Sequence, residues 1–176
     1  MKKIRKCLAV VMLMTMVMTM SAMADEIQPY AMGTGSNSVY TASSGGNVLN
    51  CNTNYDAVPS QTKINVWGYT GNLSQKWAYN STTHRFYPFG SSVVLNCKRG
   101  GEYQVDVVSP SVNTSTPEDM YIVLYYTDKN QKAFRINVAS RGSYPSAYVT
   151  RSADTSGSAC YWRYSSGLNG QIWYLH

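Results

Sequence analysis

The sequence has few charged residues, few histidines and no long helical pattern. Charged side chains make up 14% of its 176 residues. No stretch of ten or more residues repeats apolar side chains at a period near 3.6, so we expect little helix. The two histidines, His84 and His176, show no paired ligand spacing with the cysteines, and we expect neither a metal site nor another cofactor.

Catalytic motifs are also missing. The chain has no Gly-x-Ser-x-Gly string and no Cys/His or Ser/His arrangement typical of a nucleophilic enzyme. Its nine acidic residues are scattered, although two carboxylates could still meet in three dimensions, as they do in glycosidases. The order of residues indicates no such pair, so we expect no enzymatic activity.

Residues 1–24 have the pattern of a secretory signal peptide. Four basic residues at positions 2, 3, 5 and 6 precede an apolar run from Leu8 to Met20, and the small-x-small string Ala22-Met23-Ala24 follows. The run is too short for a comfortable membrane span and no later run replaces it, so we predict a secreted, extracellular protein without membrane insertion. Residues 25–36 form a lead-in without pattern.

Removal of the signal changes the charge. Eleven basic residues remain against nine acidic ones, so the net charge falls from +6 to +2. The remaining Lys and Arg are scattered and form no basic stripe, so we expect no nucleic-acid partner.

The mature chain is rich in Ser, Asn, Thr, Gly and Tyr, which favours short strands and tight turns. A polar residue, a spacer and a large aromatic occur three times, at Gln75–Trp77, Lys132–Phe134 and Gln171–Trp173. The aromatics are 57 and 39 positions apart, a range typical of repeated supersecondary units. We predict three units that share one core.

Each predicted unit contains about four strands. The strings Val48–Cys51 and Val94–Cys97 are nearly identical and should be equivalent. Lys63–Trp67 alternates polar and apolar residues like a half-buried strand, and we align Tyr121–Tyr126 and Ala159–Tyr164 with it. The final strand should pair with the first unit and close a barrel.

These repeats resemble the ricin B-type β-trefoil, the R-type lectin family, over residues 37–176. The resemblance implies an all-β fold, a six-stranded barrel capped by three hairpins with pseudo-threefold symmetry. It also implies that Trp77, Phe134 and Trp173 pack under the cap as core residues.

In that family, each unit can hold a shallow sugar pocket, in which an aromatic ring stacks on the sugar and amides or carboxylates bind its hydroxyls. Carried over to the first unit, the pattern gives Asn50, Asn65, Trp67, Ser74 and Gln75. Asn50 is an amide where the best-known lectins have Asp.

In the third unit the resemblance gives Trp162 for stacking, Asn169 and Gln171 for hydrogen bonding, and Asp154 as the carboxylate. The second unit should be silent because Leu124 takes the place of the ring and Lys132 that of the Gln. The alternative for Trp67 and Trp162 is ordinary packing on a crowded β surface.

The resemblance therefore implies a non-catalytic protein that binds galactose-type or related glycans through units 1 and 3. The alternative is a β-trefoil that binds proteins, such as a toxin-associated, bacteriocin-like or inhibitory module. Two features favour this alternative: the long insertion from Ser109 to Asp119 and the amide at Asn50.

The mature chain keeps three cysteines, Cys51, Cys97 and Cys160. An odd number in an oxidising compartment allows at most one internal disulfide. The remaining thiol could pair between chains, giving a dimer or a mixed disulfide, or the cysteines could be buried as small hydrophobic residues.

Overall fold

A computed structural model describes residues 32, 34–42, 46–53, 58–98, 101–111, 117–128, 130, 132–140, 142–164 and 167–175. The predicted signal peptide lies outside the described residues, as do most of the lead-in and residues 112–116 of the long insertion. Within the described ranges, no helix is both long and apolar enough to span a membrane.

Twelve strands follow one another in the described residues. They are β1 (Val39–Tyr40), β2 (Asn47–Cys51), β3 (Ile64–Gly68), β4 (Trp77–Asn80), β5 (Arg85–Pro88), β6 (Val94–Asn96), β7 (Asp106–Val108), β8 (Ile122–Tyr126), β9 (Ala133–Val138), β10 (Ala147–Arg151), β11 (Cys160–Arg163) and β12 (Trp173–Leu175). Three short 3-10 helices lie at Leu73–Gln75, Pro117–Met120 and Asn169–Gln171.

The first and fourth strands of each unit form a closed barrel. Between units, β4 pairs with β5, β8 with β9 and β12 with β1. Within units, Asn37 and Trp77 exchange backbone hydrogen bonds, the Ile122 amide donates to the His84 carbonyl, and Phe134 lies opposite Trp173. The ring of strands therefore closes, and the predicted pairing of the last strand with the first unit is confirmed.

The second and third strands of each unit form three hairpins, β2–β3, β6–β7 and β10–β11. Backbone hydrogen bonds join them to one another: the Ile64 amide donates to the Val105 carbonyl at 2.9 Å, and the Val105 amide donates to the Cys160 carbonyl at 2.8 Å. The three hairpins thus form one cap on the barrel. The architecture is the expected all-β trefoil with three four-stranded units.

One apolar core fills the barrel and lies under the cap. Trp77, Phe134 and Trp173 belong to it and are fully buried, and the Trp77 ring stacks on Phe86 with centroids 5.1 Å apart. Burial of one such side chain contributes about 1.5 to 3 kcal/mol. These rings are therefore major determinants of the fold.

The structure corrects the position of the repeated motif in the second unit. The residue after each 3-10 helix donates its backbone amide to the carbonyl three residues earlier: Lys76 to Leu73, Tyr121 to Glu118, and Ile172 to Asn169. The next residue begins the fourth strand, so Ile122 is the equivalent of the two tryptophans.

Phe134 is consequently not the second copy of that aromatic. It lies opposite Trp173 at the start of the third unit, where Asn37 lies opposite Trp77 in the first unit. The string Lys132–Phe134 resembled the motif in side-chain type, but backbone pairing places it on the neighbouring strand.

The third strand of the second unit also differs from the prediction. Leu95 pairs with Val107, as Leu49 pairs with Val66 in the first unit, so β7 is the third strand. The segment Tyr121–Tyr126, which we aligned there, contains the barrel strand β8. The residue equivalent to Trp67 is therefore Val108 and not Leu124.

Candidate functional site

A pocket of about 530 Å³ opens on the surface of the first unit, between the β2–β3 hairpin and the loop that leads into β4. All of its lining residues lack formal charge. They are Asn50, Asn52, Thr53, Trp67, Thr70, Gly71, Asn72, Leu73, Ser74 and Gln75. Amides and hydroxyls dominate the lining, which suits a ligand rich in hydroxyl groups.

Asn50 and Asn65 form an oriented amide pair beside this pocket. They lie opposite each other on β2 and β3, and Asn50 Nδ2 donates to Asn65 Oδ1 at 2.8 Å. Asn50 Oδ1 then has no hydrogen-bond partner among the described residues. The amide therefore offers the pocket an acceptor held in one direction, which is the role of a carboxylate oxygen in an acidic pocket.

Trp67 supplies the aromatic surface of the pocket. Its side chain points outward and is 45% exposed, whereas its neighbour Val66 points into the core. A loop of the third unit supports one edge of the ring, since a Cβ on Gly157 would lie 3.7 Å from Trp67 Cζ3. The Gly157 amide donates to the Val66 carbonyl at 2.7 Å and fixes that loop. The ring is held at one edge and exposed elsewhere.

Gln75 shapes the pocket wall from inside. Its Oε1 accepts hydrogen bonds from the Thr70 amide at 2.7 Å and the Gly71 amide at 3.2 Å, and its Nε2 donates to the Gly68 carbonyl at 2.8 Å. Gly71 has a φ of +78°, which glycine adopts without strain. Gln75 is fully buried, so the structure places it as an anchor of the loop, while the buried Ser74 lies beside it in the lining.

Sequence reasoning missed Asn52, Thr53, Thr70, Gly71 and Leu73, which also line the pocket. They lie in the loops that follow the Val48–Cys51 string and precede Gln75. Their proximity to those two motifs was the only signal available in the sequence.

In the third unit the expectation that Trp162 faces outward is wrong. Trp162 is 1% exposed, and its Nε1 donates to the Asn96 carbonyl at 2.7 Å. It lies opposite Val149, as Val66 lies opposite Leu49, so its ring points into the core. A shift of one residue along a strand moves a side chain to the other face.

Arg163 occupies the position equivalent to Trp67. Its guanidinium carbon lies 5.2 Å from the centroid of the Tyr161 ring, and Nη1 forms an ion pair with Glu102. The third unit therefore presents a compensated cation where the first presents an indole.

Gln171 and Asn169 of the third unit have surroundings that differ from those expected of sugar ligands. Gln171 is fully buried; its Nε2 donates to Thr150 Oγ1 at 3.1 Å and its Oε1 accepts from the Leu168 amide at 3.3 Å. Asn169 is exposed at the start of the 3-10 helix. Gln171 thus anchors its own loop, as Gln75 does.

Asp154 does not have the contacts expected of a sugar-binding carboxylate. Its carboxylate forms an ion pair with Arg151, and its carbonyl accepts a hydrogen bond from Asn47 Nδ2 of the first unit. Asp154 therefore lies at the border between units 3 and 1, in the same loop that supports Trp67.

The second unit has no exposed ring at the corresponding place. Val108 is buried there, and Asp106, the equivalent of Asn65, pairs with Lys63 at 2.8 Å. Among the described residues, no group of three or more His, Cys, Asp or Glu side chains could hold a metal ion.

The three cysteines are buried, and no disulfide joins them in the described part of the chain. Burial raises the pKa of the Cys51 and Cys160 thiols, which keeps them protonated. Of the two alternatives that the sequence left open, the structure does not support the dimer or mixed disulfide through an unpaired cysteine, since the thiols are inaccessible. They act as small apolar residues instead.

No protein-family model and no curated protein matches the sequence. Several solved structures match the fold. They include the designed threefold-symmetric protein ThreeFoil, at a TM-score of 0.59 and 13% identity, with 80% of this chain and 96% of that chain covered.

Two further matches are a lectin and an enzyme. A ricin B-like lectin of Macrolepiota procera, solved with lactose, gives a TM-score of 0.59 at 15% identity and covers 81% of this chain and 95% of that one. An exo-β-1,3-galactanase from Clostridium thermocellum gives 0.62 at 15% identity, over 83% of this chain but 31% of that one. At these identities the matches show the β-trefoil fold and nothing finer.

Proposed function

We propose that this chain is a secreted, non-catalytic carbohydrate-binding protein that takes galactose-type or related glycans in the pocket of the first unit. The observation that carries the proposal is the exposed Trp67 ring at a neutral pocket whose other walls are amides and hydroxyls. The lectin of similar fold solved with lactose supports the ligand class.

The chemistry of the pocket suits a pyranose. One face of the sugar is rich in C–H groups and packs on an indole, while its hydroxyls need fixed donors and acceptors. Trp67 provides the indole for the C–H face of the sugar. Asn50 Oδ1 provides a fixed acceptor for a hydroxyl, because the hydrogen bond from Asn50 Nδ2 to Asn65 sets the direction of the Asn50 amide. Ser74 and Asn72 lie in the same lining.

The proposal keeps only one of the two sites that the sequence indicated. Trp162 is in the core and Arg163 takes the place of the ring, so the third unit lacks the stacking surface that Trp67 gives the first. A single shallow site is consistent with a millimolar dissociation constant, about −4 kcal/mol. Strong adhesion would then require several copies displayed together.

The pocket residues also support a non-catalytic role. The described lining contains Asn, Thr, Ser, Gln, Trp, Gly and Leu, and none of these is a carboxylate or imidazole able to transfer a proton near neutral pH. The lining therefore suits binding without bond cleavage.

A glycan array probed with many copies of the protein displayed together, for example the biotinylated chain on streptavidin, tests the proposal, because multivalent display compensates for a millimolar single-site affinity. The wild-type protein should bind galactose-terminated glycans, and Trp67→Ala should lose this binding while remaining folded. Tyr125→Ala is the matched control, because Tyr125 is a similarly exposed aromatic on β8, in the second unit. A folded wild-type protein that binds no glycan would contradict the proposal and favour the protein-binding alternative.

A further inference from the structure

A lysine stands next to the sugar pocket with a fixed orientation. Lys76 follows the 3-10 helix, between the buried side chains of Gln75 and Trp77, and is itself half-buried. Its Nζ donates to Ser38 Oγ at 2.9 Å and to Tyr69 Oη at 3.3 Å. Within the described residues, no carboxylate pairs with it. Its positive charge is therefore uncompensated and held in place.

Tyr69 connects this lysine to the pocket. Its ring is 49% exposed, lies 5.1 Å from Lys76 Nζ, and packs on Tyr40 with centroids 5.8 Å apart. A Cβ on Gly71 would lie 3.6 Å from Tyr69 Oη, and Gly71 lines the pocket. Tyr69 and Lys76 thus adjoin the pocket at the Gly71 wall.

Both side chains have a hydrogen-bond donor left for a ligand. The ammonium has three N–H groups, of which Ser38 and Tyr69 take two. Tyr69 Oη accepts from the lysine, so its own O–H can donate outward. Two donors, one of them charged, therefore converge beside a pocket whose own lining is neutral. Such donors favour an anionic acceptor over a neutral hydroxyl.

The side of the pocket that faces the third unit has no comparable unpaired cation among the described residues. On the side of the third unit, the cation Arg151 is neutralised by Asp154. The positive potential is thus on the Tyr69 side of the pocket, and a ligand that extends in that direction would meet it.

We infer that the preferred ligand is an acidic glycan: a galactose-type ring in the pocket, followed by a group bearing a carboxylate or sulfate that Lys76 and Tyr69 bind. This inference rests on the proposed sugar-binding function and specifies its ligand class. Trp67 and Asn50 bind the first ring, and Lys76 sets the preference for charge.

Titration calorimetry with three ligands tests it: lactose, sialyllactose and sulfated lactose. At low salt, at least one acidic ligand should bind about fivefold more tightly than lactose, the size expected for an exposed ion pair, and the difference should shrink at high salt. Comparison of the two acidic ligands shows whether a carboxylate or a sulfate is the better partner.

Two lysine variants complete the experiment. Lys76→Gln should abolish the preference and leave lactose binding unchanged. Lys98→Gln is the matched control, because Lys98 Nζ lies 5.0 Å from the Tyr103 ring centroid in a similar lysine–tyrosine pair elsewhere. It should behave like the wild type.

The outcomes separate the two proposals. Equal binding of lactose and both acidic ligands, or a preference that survives in Lys76→Gln, would overturn the acidic-glycan inference alone. If none of the three ligands binds to folded protein, the proposed function fails and the inference with it.

Discussion

Trp162 lies directly opposite Val149 across β10 and β11, in the place that Val66 holds opposite Leu49 in the first unit. The third unit therefore has its indole on the core side of the hairpin and an arginine on the outer side. This register explains why two units with similar aromatic strings present different surfaces.

Trp162→Ala should therefore act on stability. Removal of a fully buried indole should lower the free energy of unfolding by about 3 to 5 kcal/mol. Trp162→Phe fills most of the space but removes the hydrogen bond from Trp162 Nε1 to the Asn96 carbonyl, a cost of about 1 kcal/mol. Urea denaturation measures both values. A Trp162→Ala protein with wild-type stability would contradict the core position.

Gln75, which anchors the pocket loop, and Gln171, its equivalent in the third unit, allow the effect on binding to be separated from the effect on stability. Gln75→Ala removes the bonds to Thr70, Gly71 and Gly68, so the pocket wall should loosen and glycan binding should weaken. Gln171→Ala removes an equivalent buried amide in the third unit. Each should cost about 1 to 3 kcal/mol of stability. Only Gln75→Ala should reduce binding, and an equal loss in both would show that stability alone is responsible.

Much of the fold could be predicted from the sequence because it is repeated. The strings Val48–Cys51 and Val94–Cys97, together with Gln75–Trp77 and Gln171–Trp173, mark equivalent strands and loops, and equivalent strands must close a common barrel. The outward position of Trp67 could be predicted as well, since the alternation along Lys63–Trp67 puts Val66 on the core face and Trp67 on the opposite face.

The register of the other units could not be predicted in the same way. Around Trp162, the string Ala159–Tyr164 has no clear alternation of polar and apolar residues, so its inward face is set by pairing with β10. In the second unit, residues 109–121 connect β7 to β8, a longer segment than residues 69–76 of the first unit, and the 3-10 helix Pro117–Met120 within it corresponds to Leu73–Gln75. The insertion is therefore shorter than the range Ser109 to Asp119. We aligned β8 as the third strand because Leu124 lies eight positions before Lys132, as Trp67 lies eight before Gln75.

The cysteines should be unreactive in the native protein. Their thiols are buried, and burial raises the pKa of Cys51 and Cys160, so thiolate is scarce. In a protein expressed from residue 25 onward, a thiol reagent such as Ellman's should modify no cysteine near neutral pH and all three after unfolding in urea. Rapid modification without denaturant would contradict this placement.

Tyr79 should make stability fall at alkaline pH. Burial is the main cause that raises the pKa of Tyr79 from 10.0 to about 12, and repulsion from Tyr121 and Tyr126 adds to it. The folded protein therefore keeps the phenol proton above pH 10, where the unfolded chain loses it. The corresponding stability is complete below pH 10 and is lost as the pH rises towards 12.

Tyr79→Phe tests this dependence. The variant loses the hydrogen bond from Tyr79 Oη to the Ile122 carbonyl, so it should be less stable at neutral pH by about 1 kcal/mol. Its stability should also fall less steeply than that of the wild type between pH 10 and 12. Denaturant midpoints across that range measure the difference, and parallel curves would show that another group titrates.

The central claim is that a sugar contacts Trp67, and the indole N–H signals of the four tryptophans test it most directly. The Nε1 groups of Trp77, Trp162 and Trp173 are buried and donate to the carbonyls of Leu49, Asn96 and Val149, whereas Trp67 is exposed at the pocket. During a millimolar titration with a galactoside, followed in a nitrogen–proton correlation spectrum, one indole signal should shift, and it should be the signal that disappears in Trp67→Phe. A Trp67 signal that stays in place at saturating galactoside would contradict the account.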